Sequence, residues 1–107
     1  MPPNGQGLTT LVFLNILENF DLPALEPLGP DRFHLMLEAA RMAFAVRDTH
    51  IAEPSHMRVP VAALNDKAFA KRLAARIDRS KCAPLPASPT PGSDTVYLTV
   101  VDRDRRA

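Results

Sequence analysis

Apolar positions recur at helical spacing in three stretches of the chain and alternate as in a strand in a fourth. From about Leu8 to Asn19, Leu11, Leu14 and Leu17 combine with Val12 and Ile16. This predicts a helix that is apolar nearly all round, the pattern of a helix buried on several sides. In the second stretch Phe33, Leu37, Ala40 and Phe44 form one stripe, which Met36 and Ala43 widen. The helix predicted there opens near Pro30 or Asp31, since proline suits a first turn and aspartate a cap, and Arg47 and Asp48 close it. Its Phe33, Leu37 and Phe44 are expected to face the core, and its alanines favour helix and close helix packing. In the third stretch Phe69, Leu73 and Ile77 fall at i, i+4 and i+8 behind a cap at Asn65 or Asp66. Lys67, Lys71, Arg72 and Arg76 cover the opposite face and are read as a solvated surface, the ordinary place for such charges. Pro60 to Leu64 predicts a helical turn. Thr95 to Asp102 is β-branched and partly alternating, which predicts a strand.

Breakers separate these elements. Pro2-Pro3-Asn4-Gly5-Gln6-Gly7 reads as a rigid turn, Leu22 to Pro30 as a loop, and Ile51 to Pro60 as irregular chain interrupted at Pro54 and Pro60. Cys82 to Asp94 holds four prolines with Ser88, Thr90 and Ser93, so it reads as a mobile or extended linker and neither a long helix nor a central strand. Arg103-Asp104-Arg105 resembles the start of a hairpin turn. The chain therefore divides into a helical part, residues 1–81, a proline-rich linker, residues 82–94, and a first strand, residues 95–107. It contains no internal repeat.

Composition narrows the chemistry. At 107 residues the chain has the length of one small domain, and its apolar fraction of 46% suits a packed core. Thirteen basic against twelve acidic residues leave a net charge of +1, which offers no electrostatic reason for binding nucleic acid or an anionic membrane. Cys82 is the single cysteine, which excludes an intrachain disulfide and a cysteine-based zinc site. No run reaches the ~18 apolar residues of a membrane span, and no basic, then apolar, then small-residue signal opens the chain.

The candidate chemistry lies where the linker meets the strand, at Asp94-Thr95. A threonine hydroxyl is a weak nucleophile at neutral pH and needs a base. An N-terminal threonine carries one in its own α-amine, whose ordinary pKa lies near ~8. That amine exists only once the bond before the threonine is cut. His34, His50 and His56 lack metal-ligand spacing and read as surface or locally bonded residues. Arg47 and Asp48 read as an ion pair or cap at a helix end. Cys82 sits among prolines with no base near it in sequence. Thr99 shares a strand face with Thr95 and Tyr97 and reads as a plain strand residue.

Four segments in order carry a family resemblance. They are Pro2-Pro3-Asn4-Gly5-Gln6-Gly7 with Leu14-Asn15-Ile16-Leu17-Glu18-Asn19-Phe20, then Ala43-Phe44-Ala45-Val46-Arg47-Asp48, then Glu53-Pro54 with Val59-Pro60, and finally Asp94-Thr95 with Val100-Val101-Asp102. Together they resemble the γ-glutamyltranspeptidases over essentially the whole chain. The resemblance implies an α+β fold, an αββα N-terminal-nucleophile hydrolase sandwich, to which this chain contributes three helices and one C-terminal strand. It implies a precursor that cuts itself between Asp94 and Thr95 into a large and a small subunit, with Thr95 as nucleophile and, once cut, as α-amine base. The implied partners are glutathione or another γ-glutamyl amide, an amino acid or water as acceptor, and the remainder of the two subunits. No cofactor and no metal is implied. The expected location is periplasmic, secreted or at the membrane surface.

The same resemblance places the arginine for the substrate α-carboxylate earlier in the large subunit and the oxyanion glycines later in the small one. The chain alone is then expected to be inactive, and Met1 to be an internal methionine of a longer reading frame. Three residues depart from the family pattern. A Thr-Thr-His run is frequent at the cleavage point, whereas here Val96 and Tyr97 follow Thr95, and Val46 stands where an acid is frequent. These leave room for a related acylase or a non-catalytic relative. From a different class, a small helical binding module could lend its terminal strand to a partner's sheet.

Overall fold

A computed structural model describes residues 6–84 and residue 103. Four helices make up the described body: α1 (Gly7–Leu17), α2 (Pro30–His50), α3 (Val61–Leu64) and α4 (Lys67–Ala74). Short 3-10 turns at Leu22–Ala24 and Pro54–His56 interrupt the two connections around α2. α1 lies against α2 and α4, and the one-turn α3 abuts α4. Among the described residues there is no strand. The strand expected at 95–102, and the linker from residue 85 to Asp94, lie outside the described residues.

Local chemistry accounts for the helix ends. Gly29 precedes α2 in an extended conformation, Pro30 takes the first helical position, and Asp31 meets the positive end of the helix. Gly29 also passes close to the preceding turn, where an added Cβ would stand 3.1 Å from Glu26 Cβ. α2 continues past the expected close at Asp48 to His50, because no breaker intervenes before Pro54. Asp66 caps α4 by accepting from the Phe69 amide at 3.0 Å. α4 ends at Ala74, earlier than Ile77, in tight turns in which the Arg76 and Ile77 amides donate to Leu73 and Ala74 carbonyls. Those turns still carry Ile77 into the core.

The core corrects one expectation. Leu8, Val12, Ile16 and Leu17 of α1 are buried as expected, but α2 meets them with Leu35, Ala39, Ala43 and Val46. Phe33, Leu37 and Phe44 point away, and Leu37 is 63% exposed. At 3.6 residues per turn the two stripes lie roughly 135° apart around the helix. The reason is close approach: Ala39 and Ala43 let α1 and α2 pack tightly, which a row of phenylalanines would prevent. Leu11 and Leu14 of α1 are likewise about half exposed. α2 is thus apolar on two faces, and the described body covers one of them.

The elements are pinned by a polar network around Asn15, a buried residue of α1. Its Nδ2 donates to Asn65 Oδ1 at 2.9 Å, and Lys67 Nζ donates to its Oδ1 at 2.7 Å. Lys67 also pairs with Glu18. This network ties α1 to the start of α4.

Candidate functional site

Thr95 and Asp94, the residues on which the chemistry was placed, lie outside the described residues. What is described is the approach to them: the chain from Asp78 to Pro84, and the helix that seats it. Three side chains of α2, His34, Glu38 and Arg41, stand at i, i+4 and i+7 and so share one face of the helix. All three reach the same passing segment. His34 Nε2 donates to the Asp78 carbonyl at 2.8 Å. A carbonyl only accepts, so this bond leaves Nδ1 of the neutral imidazole as an acceptor, and Cys82 Sγ stands 3.8 Å from it. Glu38 is the buried charge of the set, its side chain only 3% exposed. Arg41 Nη1 donates to Glu38 Oε1 at 2.7 Å, and the Ala83 amide donates to Glu38 Oε2 at 3.1 Å. Arg41 Nη2 then donates to the carbonyls of Ala83 at 2.6 Å and Pro84 at 2.9 Å.

Both oxygens of Glu38 are therefore engaged, as a buried carboxylate requires. The planar guanidinium grips carboxylate and backbone at once, which a point charge does less well. Sequence reasoning named neither Glu38 nor Arg41. A signal existed: an acid beside the alanine face of α2 with a base three residues on. Cys82 has no base near it in sequence. Folding brings His34 to it across 48 residues of sequence.

The remaining candidates are local. Arg47 and Asp48 pair at 2.8 Å, and Arg47 covers the Phe44 ring at 4.7 Å from its centroid. Glu53, Ser55 and His56 cluster at the 3-10 turn. Glu53 Oε2 accepts from the Ser55 amide at 3.0 Å, from the Ser55 hydroxyl, and from His56 Nδ1 at 2.9 Å. The Ser55 hydroxyl and the His56 bond together hold the Glu53 carboxyl below its ordinary range. Serine and carboxylate meet the same imidazole nitrogen, since Ser55 Oγ lies 3.1 Å from Nδ1 as well. A relay for nucleophilic catalysis needs them on opposite nitrogens, so the cluster is a turn cap. Asp78 is held low in the same way, chiefly by the Ser80 hydroxyl at 2.6 Å. A hollow of about 460 Å³ lies between the end of α2 and the following loop, lined by Asp48, His50, His56 and Arg58 among others. Among the described residues, no three His, Cys, Asp or Glu side chains gather as a metal site, and no helix is long and apolar enough to cross a membrane.

The chain as a whole is similar to known proteins. The family model described as Gamma-glutamyltranspeptidase matches residues 1–107. The chain is 40% identical over 107 residues to the Glutathione hydrolase-like YwrD proenzyme of Bacillus subtilis, covering 99% of this chain and 20% of that protein. It is 38% identical over 103 residues to an Acylase ACY 1 proenzyme of a Pseudomonas species, covering 94% of this chain and 18% of that protein. The fold is similar to the crystal structure of Helicobacter pylori gamma-glutamyltranspeptidase, with a TM-score of 0.66 and 31% identity over 88% of this chain and 29% of that one. The chain thus spans about a fifth of the length of the curated relatives it matches.

Proposed function

The chain belongs to the gamma-glutamyltranspeptidase family of enzymes, and from that premise we propose that it holds the self-cleavage junction and the nucleophile of a γ-glutamyl-transferring proenzyme. One observation carries this: relatives named as proenzymes match nearly the whole chain, a span that includes Asp94 and Thr95. A proenzyme needs a bond to cut, and here a proline-rich stretch ends at a threonine that opens a β-branched run.

In the proposed sequence the Thr95 hydroxyl attacks the Asp94 carbonyl, and the peptide nitrogen leaves as the α-amine while an ester forms. Water then hydrolyses that ester, freeing a carboxylate at Asp94 and restoring the hydroxyl beside a free amine. In turnover the α-amine takes the proton from the Thr95 hydroxyl as its oxygen attacks the γ-carbonyl of glutathione or a related amide. The same proton passes to the departing amine. An amino acid or water resolves the γ-glutamyl ester and regenerates Thr95. No step calls on a metal or cofactor.

A second reading is favoured by one observation, the 38% identity to a relative named as an acylase. The self-cleavage is then the same and the acyl group differs. Val96 and Tyr97, the two residues after the nucleophile, bear on this choice.

The test is intact-mass analysis of the complete precursor during incubation, beside Thr95→Ala. The expected result is two products, the second beginning at Thr95, and an uncut, inactive mutant. A processed and active Thr95→Ala protein would overturn the assignment. γ-Glutamyl and simple acyl amides assayed side by side on the processed enzyme separate the two readings.

A further inference from the structure

The polar face of α2 described above commits three of its side chains to one passing segment. His34, Glu38 and Arg41 seat the backbone at Asp78, ahead of the linker, and at Ala83 and Pro84, among its first residues. We propose that this face is a positioning device for self-cleavage: it makes the linker leave the helical body from one fixed point and in one direction, so that the Asp94–Thr95 bond reaches its cutting geometry. The proposal rests on the self-cleavage put forward above.

Three considerations support it. First, the grip is built for the backbone. Glu38 and Arg41 recognise the Ala83 amide and the Ala83 and Pro84 carbonyls, so they fix the path of the chain and not a side chain. Second, the carboxylate that anchors the grip is buried, so loosening it leaves a desolvated charge without its partners. Third, the reach is limited. Ten residues lie between Pro84 and Thr95, and the eleven steps from one to the other span at most about 40 Å when fully extended.

Magnitudes separate two effects. If the grip only shortened the free span, releasing it back to Asp78 would lengthen that span from about 11 to about 17 residues and slow closure by only about twofold. Lost orientation acts more strongly, because displacement of a reacting group by about 1 Å can cost ~10²-fold. Removing the grip is therefore expected to slow cleavage by about tenfold, between those limits. The residues named are positioning residues for processing and touch no substrate.

The experiment follows conversion of the complete precursor into its two subunits. The proteins compared are wild type, Arg41→Met, Arg41→Lys, Glu38→Gln and the Thr95→Ala control, each with its melting temperature and the kcat/KM of its processed form. Arg41→Met keeps the stem and removes every donor. Glu38→Gln is isosteric and keeps the proposal testable should Arg41→Met fold poorly. The expected result is about tenfold slower processing in Arg41→Met and Glu38→Gln, only partial recovery in Arg41→Lys, and kcat/KM of the processed forms close to wild type. Processing at the wild-type rate in both Arg41→Met and Glu38→Gln overturns the proposal while leaving the self-cleavage intact. Processing that falls only in step with melting temperature, with kcat/KM falling alongside, also overturns it, in favour of a plain structural role. A wild-type precursor that never cuts removes the self-cleavage itself, and the proposal with it.

Discussion

At the residue scale the described part of the chain is governed by a few polar groups that find backbone partners. Glu53 and Asp78 each accept from a hydroxyl and an amide two residues ahead, at Ser55 and Ser80. Both carboxyls are held below their ordinary values of 4.5 and 3.8. The sign follows from linkage. The folded state favours the ionised form, so these bonds contribute fully above the unfolded values and are lost as pH falls through the lower folded ones. An NMR titration of the side-chain carboxyl carbons is expected to give midpoints below 4.5 for Glu53 and below 3.8 for Asp78. Ser55→Ala and Ser80→Ala are expected to return each midpoint toward its ordinary value. Little of this was legible in the chain order. Of the histidines read as surface or locally bonded, His56 bonds locally to Glu53, whereas the partner of His34 is a carbonyl 44 residues away. Proximity in space is what a one-dimensional pattern omits.

At the scale of elements, spacing named the helices well and their faces less well. The helices expected at Leu8–Asn19, from Pro30, and behind Asp66 are present, as is the helical turn ending at Leu64. α2 is apolar at two registers, Leu35-Ala39-Ala43-Val46 and Phe33-Leu37-Ala40-Phe44, and periodicity has no means of ranking them. Size suggested the phenylalanines, whereas packing chose the alanines, because two helix axes can approach only where side chains are short. The contrast is measurable. Leu35→Ala is expected to destabilise the chain by about 2–5 kcal/mol, since Leu35 is buried at 1% exposure. Leu37→Ala, at 63% exposure, is expected to stay within about 0.5 kcal/mol. Urea denaturation of the two variants decides it, and equal losses would mean that the faces are assigned the wrong way round.

At the scale of the whole molecule, the described body leaves Leu11, Leu14, Phe33, Leu37 and Phe44 uncovered. The curated relatives are about five times as long as the stretch they share with this chain. Thr95 brings its own base to the proposed reaction but no donor for a developing oxyanion, and loss of a single such donor costs ~10²–10³ in rate. The 107-residue chain by itself is accordingly expected to release no product from a γ-glutamyl anilide above the buffer rate, even when folded. Measurable turnover by the chain alone would show that the groups assigned elsewhere are dispensable.

Short-range order determined what the sequence by itself could decide. The helices follow from periods of apolar residues, their ends from Pro30, Asp66 and the breakers, and the family from four motifs kept in order along the chain. These are properties of neighbours, and neighbours are what a sequence lists. Only the tertiary structure decided which face of α2 is inside, which base meets Cys82, and that Glu38 and Arg41 hold the chain at Ala83 and Pro84. The last two depend on groups more than 40 residues apart in sequence, and all three on the close packing of α1, α2 and α4 and the path of the chain beyond α4. Local pattern constrains that packing, and mutual fit in three dimensions selects it.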